Sequence, residues 1–153
     1  MSLQAQQFIN AIKNDAITSA KLTQVFASFA IAEAALESAW GSSRLATQAH
    51  NLFGVKADKA WQGDTLSLPT REFLNNQWCF VNALWRKYPS WLGSFKDHAD
   101  FLHHNPRYRN AFLAGNVEDF TVSIAKAGYA TDPTYAKKII SIINQYHLKA
   151  LDL

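Results

Sequence analysis

Cysteine is almost absent from this 153-residue chain, and Pro/Gly/Ser-rich linkers, internal repeats and low-complexity tracts are lacking altogether. The single cysteine, Cys79, excludes an internal disulfide framework and a zinc site built from cysteines. Charged residues make up 18% of the chain and hydrophobic residues 48%, which excludes a disordered or collagen-like chain. A chain of this length buries roughly two thirds of its unfolded surface, so we expect one domain over residues 1–153.

Long apolar runs are also missing. A bilayer span needs about 18 consecutive apolar residues, whereas Ser28 and Glu33 interrupt the most apolar segment, residues 26–36. The N-terminus has no basic leader followed by a long apolar run, so no secretory signal peptide is predicted. The net charge of +3 suits an acidic polymer as partner, and the lack of a basic stripe argues against nucleic acid.

The periodicity of the apolar residues predicts a helix-rich chain with one β excursion. Helices are expected over residues 2–14, 18–40, 90–105, 108–113 and 116–128, and from residue 133 onward. The later half of the second, residues 25–40, is apolar nearly all round, which is typical of a central, buried helix. Residues 50–88 are rich in aromatic residues, and two short strands are expected there around an Asn75–Asn76 turn. The predicted fold class is therefore α+β, mostly α, with a small β-lobe.

Two glutamates lie inside the most apolar predicted helix. Glu33 and Glu37 are four residues apart, so they share one helix face. Burial and the negative end of the helix dipole near Gly41 would both raise the pKa of Glu37 and keep it protonated, the state that a general acid needs. On spacing alone, however, the simpler interpretation is preferable: both glutamates face solvent from an alanine-rich helix, or pair with Lys or Arg.

A series of ordered motifs resembles one family of glycosidases. These segments are, in chain order, ALESAWGSSRLA, NLFGVKA, TREF, WRKYPSW, NPRY and AGYATDPTYAKKI. They are similar to the glucosaminidase domains of glycoside hydrolase family 73, which include the muralytic domain of flagellar peptidoglycan hydrolases and many autolysins and phage lysins. The resemblance runs from about residue 32 to residue 143, and the long last motif makes it specific.

The resemblance implies a lysozyme-like fold, in which a helical lobe and a small β-hairpin lobe flank a substrate cleft. It also implies hydrolysis of the bond that N-acetylglucosamine makes to N-acetylmuramic acid in peptidoglycan glycan strands, with no cofactor. The glutamate of the family's A-L-E-S motif is the general acid, and that position is Glu37 here. Glu33 stands where the family usually has glutamine, so it is expected to support the acid rather than to act as a catalyst.

The resemblance also assigns a second carboxylate. The glutamate of the family's T-x-E-[YF] motif corresponds to Glu72, on the strand before the Asn75–Asn76 turn. A glycosidase often uses a second carboxylate to activate water or to stabilise positive charge, and we expect this role for Glu72. Two alternatives stay open. Glu72 is a surface charge paired with Arg71 or Lys87, or the substrate's own acetamido group is the nucleophile and Glu72 is auxiliary.

Aromatic and polar residues of the motifs are expected to contact the substrate. The family's tyrosine that lines the cleft near the acid corresponds to Tyr129, which would bind the acetamido group or position water. Tyr135 has the same ambiguity between a site role and packing. Trp61 and Trp78 are candidate cleft walls because sugar rings stack on aromatic faces, and Asn51 would orient its loop by hydrogen bonding. Packing in the core is the competing interpretation for these aromatic residues.

Some conspicuous residues carry no predicted chemistry. The spacing from His98 to His103 does not suit ligands on one helical face, so no metal site is predicted. Cys79 lies on a predicted strand and is expected to be a small buried hydrophobe. Asp132 is expected to cap the last helix, two residues ahead of Thr134.

Other functions on this sequence also stay open. A muramidase or lytic transglycosylase on the same fold is one alternative, and a wall-binding module without catalysis is another. The setting is open among phage lysin, secreted effector, autolysin and flagellar fragment. The protein is expected to act on the cell wall, in the periplasm or outside the cell. Delivery is expected through phage lysis, a secretion system or a flanking domain, and an effector would also have a delivery or immunity partner.

Overall fold

Residues 2–153 are described by the computed structural model, and they contain six α-helices and one two-stranded sheet. The helices are α1 (Leu3–Thr23), α2 (Ala27–Glu37), α3 (Arg44–Ala49), α4 (Trp91–His104), α5 (Val117–Lys126) and α6 (Tyr135–Gln145). The antiparallel strands β1 (Asp64–Leu74) and β2 (Gln77–Lys87) lie between α3 and α4 in the chain. Two 3₁₀ helices span Pro106–Leu113 and Leu148–Leu151. The predicted α+β, mostly helical fold class is confirmed.

The break between α1 and α2 contradicts the prediction of one helix over residues 18–40. Gln24 adopts a left-handed backbone, with φ at 66°, and α1 ends there. The N-cap of α2, Phe26, has no capping side chain. Instead the Ser28 backbone N–H donates to Oδ1 of Asp152 at 2.8 Å, and the Ser28 hydroxyl donates to the other carboxylate oxygen. The cap comes from 124 residues away, where local sequence signals do not reach.

α2 is the centre of the helical lobe, as its apolar character predicts. Every residue from Ala27 to Ala35 is buried, and α1, α5 and α6 pack against the helix. Phe29 meets the ring of Phe120 edge-on, with 5.0 Å between the ring centroids. Burial of a phenylalanine side chain of this kind contributes about 1.5–3 kcal/mol to folding. Among residues 2–153, none of the helices has both the length and the hydropathy that a membrane span requires.

The end of α2 is a tight reversal. The helix ends at Glu37, and Ala39, Trp40 and Gly41 all have left-handed backbones. Glycine is required at the third of these positions, because a Cβ atom on Gly41 would lie 2.6 Å from the ring of Phe8. The reversal leaves Glu37 as the last helical residue, at the negative end of the α2 dipole.

The β-hairpin has the turn that its sequence predicts. The register pairs Phe73 with Trp78, so Asn75 and Asn76 lie within the turn. Both turn residues have positive φ, at 51° and 61°, as in the type I′ turns that join two-residue hairpins. One face of the hairpin exposes large apolar side chains, namely Phe73, Trp78, Phe80 and Leu84.

Polar contacts fix the base of the hairpin to the helical lobe. Arg86 on β2 donates from one guanidinium nitrogen to both carboxylate oxygens of Asp97 on α4, at 3.0 and 2.9 Å. The Tyr88 hydroxyl donates to the same carboxylate at 2.5 Å. The buried side chain of Asn51 donates to the backbone carbonyls of Val55 and Arg86, at 3.0 and 2.9 Å. These contacts hold the hairpin beside the end of α2.

Candidate active site

An open cleft of about 830 Å³ lies beside the end of α2. Its other walls are the loop after α3, one side of α4 and the loop after α5, and one side chain comes from β2. Both lobes therefore contribute to the cleft, as expected for a lysozyme-like arrangement. Its lining includes Glu37, Phe53, Lys56, Arg86, His98 and Tyr129.

Glu37 lies on the wall of this cleft. It is exposed, and no ion pair among residues 2–153 involves it. Partial desolvation by the cleft walls raises the pKa of its carboxyl above the ordinary value. Its position in the last turn of α2 acts in the same direction, because the helix dipole disfavours a negative charge there. The carboxyl is therefore accessible and predisposed to keep its proton, which are the two properties that a general acid requires.

Glu33 lies one turn earlier and has a different environment. Its side chain is 0% exposed, so the interpretation that it faces solvent is wrong. Its carboxyl oxygens lie within hydrogen-bond distance of the hydroxyls of Tyr129, at 2.9 Å, and Tyr135, at 2.5 Å. Burial raises the pKa of Glu33 to about 7, with a further contribution from Glu37, while the two tyrosine hydrogen bonds act in the opposite direction.

Tyr129 joins this buried carboxyl to the cleft. It lines the cleft, and its hydroxyl lies 2.8 Å from Nε2 of His98. The imidazole of His98 stacks on the ring of Phe53, with 3.9 Å between centroids and 7° between the planes. Burial lowers the pKa of His98 to about 3, so the imidazole is neutral. Sequence reasoning considered His98 only as a metal ligand and missed this contact, although its place with Phe95 and Leu102 on the buried face of α4 was a signal.

Glu72 lies on β1, outside the residues that line the cleft. Its carboxylate pairs with Lys56 at 3.0 Å, rather than with Arg71 or Lys87. Lys56 does line the cleft, and it forms an isolated bridge with Trp85 of β2. Glu72 is therefore linked to the cleft through one lysine side chain, and its catalytic role stays a prediction.

The residues predicted to contact the substrate lie in different environments. Asn51 is buried, and its amide is used entirely to hold the loop after α3 and the hairpin. Tyr135 is buried on Glu33 and also lies away from the cleft lining. Trp61 lies under the guanidinium of Arg86 and donates from its indole N–H to the carbonyl of Asp64.

The remaining singled-out residues lie outside the cleft lining as well. Trp78 is 61% exposed near the hairpin turn, beside Arg71 and Phe73. Cys79 is partly exposed on β2, opposite Glu72 in the register. Asp132 accepts from the backbone N–H of Thr134 at 2.8 Å, but the N-cap of α6 is Thr134 and it has no side-chain cap hydrogen bond, so the prediction that Asp132 caps this helix is wrong.

The chemistry of the cleft defines a class of protein. A carboxyl with a raised pKa on the wall of an open cleft, with a tyrosine hydroxyl near it, suits protonation of a leaving oxygen. In glycoside hydrolases, a carboxylic acid residue carries out this protonation. The helical lobe and hairpin place that acid at the junction of the two lobes, so the fold and the site define a glycoside hydrolase.

Comparison with known proteins narrows the class to a family. Residues 13–148 match the glucosaminidase family, described as mannosyl-glycoprotein endo-beta-N-acetylglucosaminidase. The chain belongs to this glucosaminidase family.

Relatives and solved structures agree with the family. The chain is 42% identical over 139 residues to the peptidoglycan hydrolase FlgJ of Vibrio cholerae, covering 88% of this chain and 42% of that protein. It is 35% identical to the exo-glucosaminidase LytG of Bacillus subtilis, covering 96% of this chain and 53% of that protein. The catalytic domain of the autolysin Auto from Listeria monocytogenes superposes with a TM-score of 0.89 at 35% identity, over 99% of this chain and 89% of that one. The chain thus spans about half or less of these two full-length relatives.

Proposed function

We propose that this glucosaminidase hydrolyses the glycan strands of bacterial peptidoglycan, as an endo-β-N-acetylglucosaminidase that cuts the bond from N-acetylglucosamine to N-acetylmuramic acid. The observation that carries the proposal is Glu37, an accessible carboxyl of raised pKa on the wall of the cleft. The names of the relatives, a peptidoglycan hydrolase and a glucosaminidase, support the choice of polymer and of bond.

Glu37 supplies the proton in the proposed reaction. Its carboxyl protonates the glycosidic oxygen while the bond from that oxygen to the anomeric carbon breaks, and the sugar passes through an oxocarbenium-like state. Water then adds to the anomeric carbon and gives up a proton. Glu37 has become a carboxylate and is restored by a proton from solvent, which its exposed position permits.

Glu72 and Tyr129 have the supporting roles. Glu72 would activate the water or stabilise the positive charge, once its ion pair with Lys56 is exchanged for the substrate. If the acetamido oxygen of the substrate is the nucleophile instead, Glu72 keeps an auxiliary electrostatic role. Tyr129, on the cleft wall, would hold the acetamido group beside Glu37.

The decisive experiment is digestion of purified peptidoglycan by the wild type and by Glu37→Gln, with mass spectrometry of the borohydride-reduced products. We expect fragments that end in reduced N-acetylglucosamine from the wild type, and a rate at least about 100-fold lower from the variant, since general acids contribute on this scale. Glu118→Gln is the matched control, because Glu118 pairs with Lys149 outside the cleft lining.

The products also separate the alternatives. Fragments that end in N-acetylmuramic acid, or in its anhydro form, would reassign the protein as a muramidase or lytic transglycosylase. No fragments from the wild type would contradict catalysis and favour a wall-binding module. Full activity of Glu37→Gln would remove Glu37 as the acid.

The place of action follows from the substrate. Peptidoglycan lies in the periplasm or outside the cell, so we propose that the protein acts there after delivery by a lysis system, a secretion system or a flanking domain. If the protein is a secreted effector, the producing cell needs an immunity partner that blocks the cleft. Co-purification of such a partner with the cleft occupied would support this setting.

A further inference from the structure

The buried carboxyl of Glu33 is a titratable group that the proposed reaction does not use. It is 0% exposed, and none of the ion pairs among residues 2–153 involves it. Its polar contacts are the two tyrosine hydroxyls on Tyr129 and Tyr135. An ionised carboxylate is costly to bury without a cation, so this environment favours the neutral acid.

The groups that face Glu33 come from several elements, and none of them carries a positive charge. Tyr135 reaches it from α6, Tyr129 from the loop after α5, and Glu37 from the next turn of α2. Beyond Tyr129 lie the neutral His98 of α4 and Tyr108 of the 3₁₀ helix, whose ring is 6.0 Å from that of Tyr129. A negative charge on Glu33 would therefore meet a second carboxyl and no compensating cation.

The protonation state of Glu33 sets the direction of the hydrogen bonds at Tyr129. The Tyr129 hydroxyl has one proton and two lone pairs, and it has two protein partners, Glu33 and His98. If Glu33 is ionised, Tyr129 donates its proton to Glu33, and toward the cleft Tyr129 can then act only as a hydrogen-bond acceptor. If Glu33 is protonated, its own O–H donates to Tyr129. With His98 in the tautomer that has its proton on Nε2, which this arrangement requires, that N–H donates as well, and the Tyr129 proton is left for the cleft.

We propose that Glu33 is a positioning residue that works as a neutral acid, donating its proton to Tyr129 so that the Tyr129 hydroxyl donates into the cleft. The group that receives this hydrogen bond is the carbonyl oxygen of the substrate's acetamido group, a step that rests on the proposed glucosaminidase function. The Tyr135 hydroxyl donates to the other oxygen of Glu33, so both oxygens of the neutral acid are hydrogen-bonded.

The proposal gives this enzyme a second proton requirement. Burial raises the pKa of Glu33 to about 7, so the acid is neutral below pH 7 and loses its proton as the pH rises through that value. Glu37 must also be protonated to act as the acid. At pH values above the pKa of both carboxyls, the wild-type rate should therefore fall about 100-fold per pH unit, because two protons are lost, instead of tenfold.

The test compares the wild type with Glu33→Gln, which removes the ionisation and keeps a group that donates to Tyr129. We measure kcat and KM for release of reducing ends from peptidoglycan between pH 5 and pH 9, where the Glu33 titration at about 7 lies. We expect Glu33→Gln to retain the wild-type rate at pH 6 within about threefold. At alkaline pH its rate should fall about tenfold per pH unit, as expected for the loss of one proton instead of two. Identical alkaline limbs, or a folded Glu33→Gln without activity, would overturn the proposal.

A second measurement needs no catalysis. Infrared difference spectra of the wild type should contain the carbonyl band of a protonated carboxyl at pH 6, which disappears above the Glu33 titration at about 7. The component of the band that titrates at about 7 should persist in Glu37→Gln and be absent from Glu33→Gln. Its absence from Glu37→Gln would overturn the proposal even if Glu33→Gln does not fold. If Glu37→Gln is fully active but keeps the band, the proposed acid fails while the neutral state of Glu33 stands.

Discussion

Among single residues, Glu72 offers the sharpest separation of stability from chemistry. Its ion pair with Lys56 is partly exposed, at 36% and 53% for the two side chains. Pairs of this kind contribute about 0–1 kcal/mol, so Glu72→Gln should change the free energy of unfolding by less than about 1 kcal/mol. Because the variant stays folded, a loss of activity in it would come from the reaction and not from unfolding.

We expect Glu72→Gln to lower kcat on peptidoglycan by about tenfold or more, because a carboxylate that activates water or stabilises an oxocarbenium-like state has no substitute in an amide. Turnover and urea unfolding are measured on the same preparation. Glu118→Gln breaks a similar exposed pair with Lys149 and is the control for charge removal. A fully active Glu72→Gln would leave the substrate's acetamido group as the nucleophile.

The helix that carries the acid depends on a cap from another element. The α2 N-terminus is completed by Asp152, which accepts from both the backbone N–H and the hydroxyl of Ser28. Removing an N-cap acceptor destabilises a protein by about 0.5–2 kcal/mol. Asp152→Ala should therefore lower Tm by about 1–8 °C in a domain of this size. Differential scanning calorimetry measures this shift.

Asp152→Asn is the matched variant for the cap, since its amide oxygen still accepts from the Ser28 N–H. We expect it to keep most of the wild-type Tm. If Asp152→Ala melts with the wild type, the contact between Asp152 and Ser28 contributes nothing to the stability of α2.

Local signals account well for some elements and fail for others. The Asn75–Asn76 turn was predictable because both residues tolerate the positive φ that a two-residue hairpin demands. The end of α1 at Gln24 was not, because residues on either side continue the apolar pattern and the cap of α2 comes from Asp152. The end of α2 at Glu37 was not predictable either. Ala39 and Trp40 form the reversal there, and neither residue type favours a left-handed backbone.

At the scale of the whole molecule, the two lobes meet at one shared carboxylate. Asp97 of the helical lobe accepts from Arg86 and Tyr88 at the base of the hairpin. A hydrogen bond to a charged group contributes about 1.5–3 kcal/mol to stability. We expect Asp97→Asn to speed amide hydrogen exchange across residues 64–87 while exchange in α2 stays unchanged, because the core around α2 does not depend on this contact.

Asp58→Asn is the control for this experiment. Asp58 also pairs with Arg86, at 3.4 Å, but its side chain is 63% exposed, so its loss should leave hairpin exchange nearly unchanged. Equal exchange in wild type and Asp97→Asn would mean that Asn51 and the backbone alone hold the hairpin in place.

The site as a whole was predictable only where motifs carried it. The motif resemblance identified Glu37 and Tyr129, and both line the cleft. His98 and Tyr129 are 31 positions apart, and Glu33 is 96 and 102 positions from Tyr129 and Tyr135. No periodicity in the sequence encodes such pairs. Asn51, inside a family motif, donates to the backbone of its loop and of the hairpin base, which is the loop-orienting role expected of it.

The bond between Ser28 and Asp152 also has a consequence for synthesis on the ribosome. Translation proceeds from the N-terminus, so α2 is made early and its N-cap late. Until residue 152 has left the exit tunnel, the helix that bears Glu37 lacks its cap, and the nascent chain holds its acid on an incomplete helix. The stabilisation that this cap gives to α2 is therefore gained only when nearly the whole of residues 2–153 has been made.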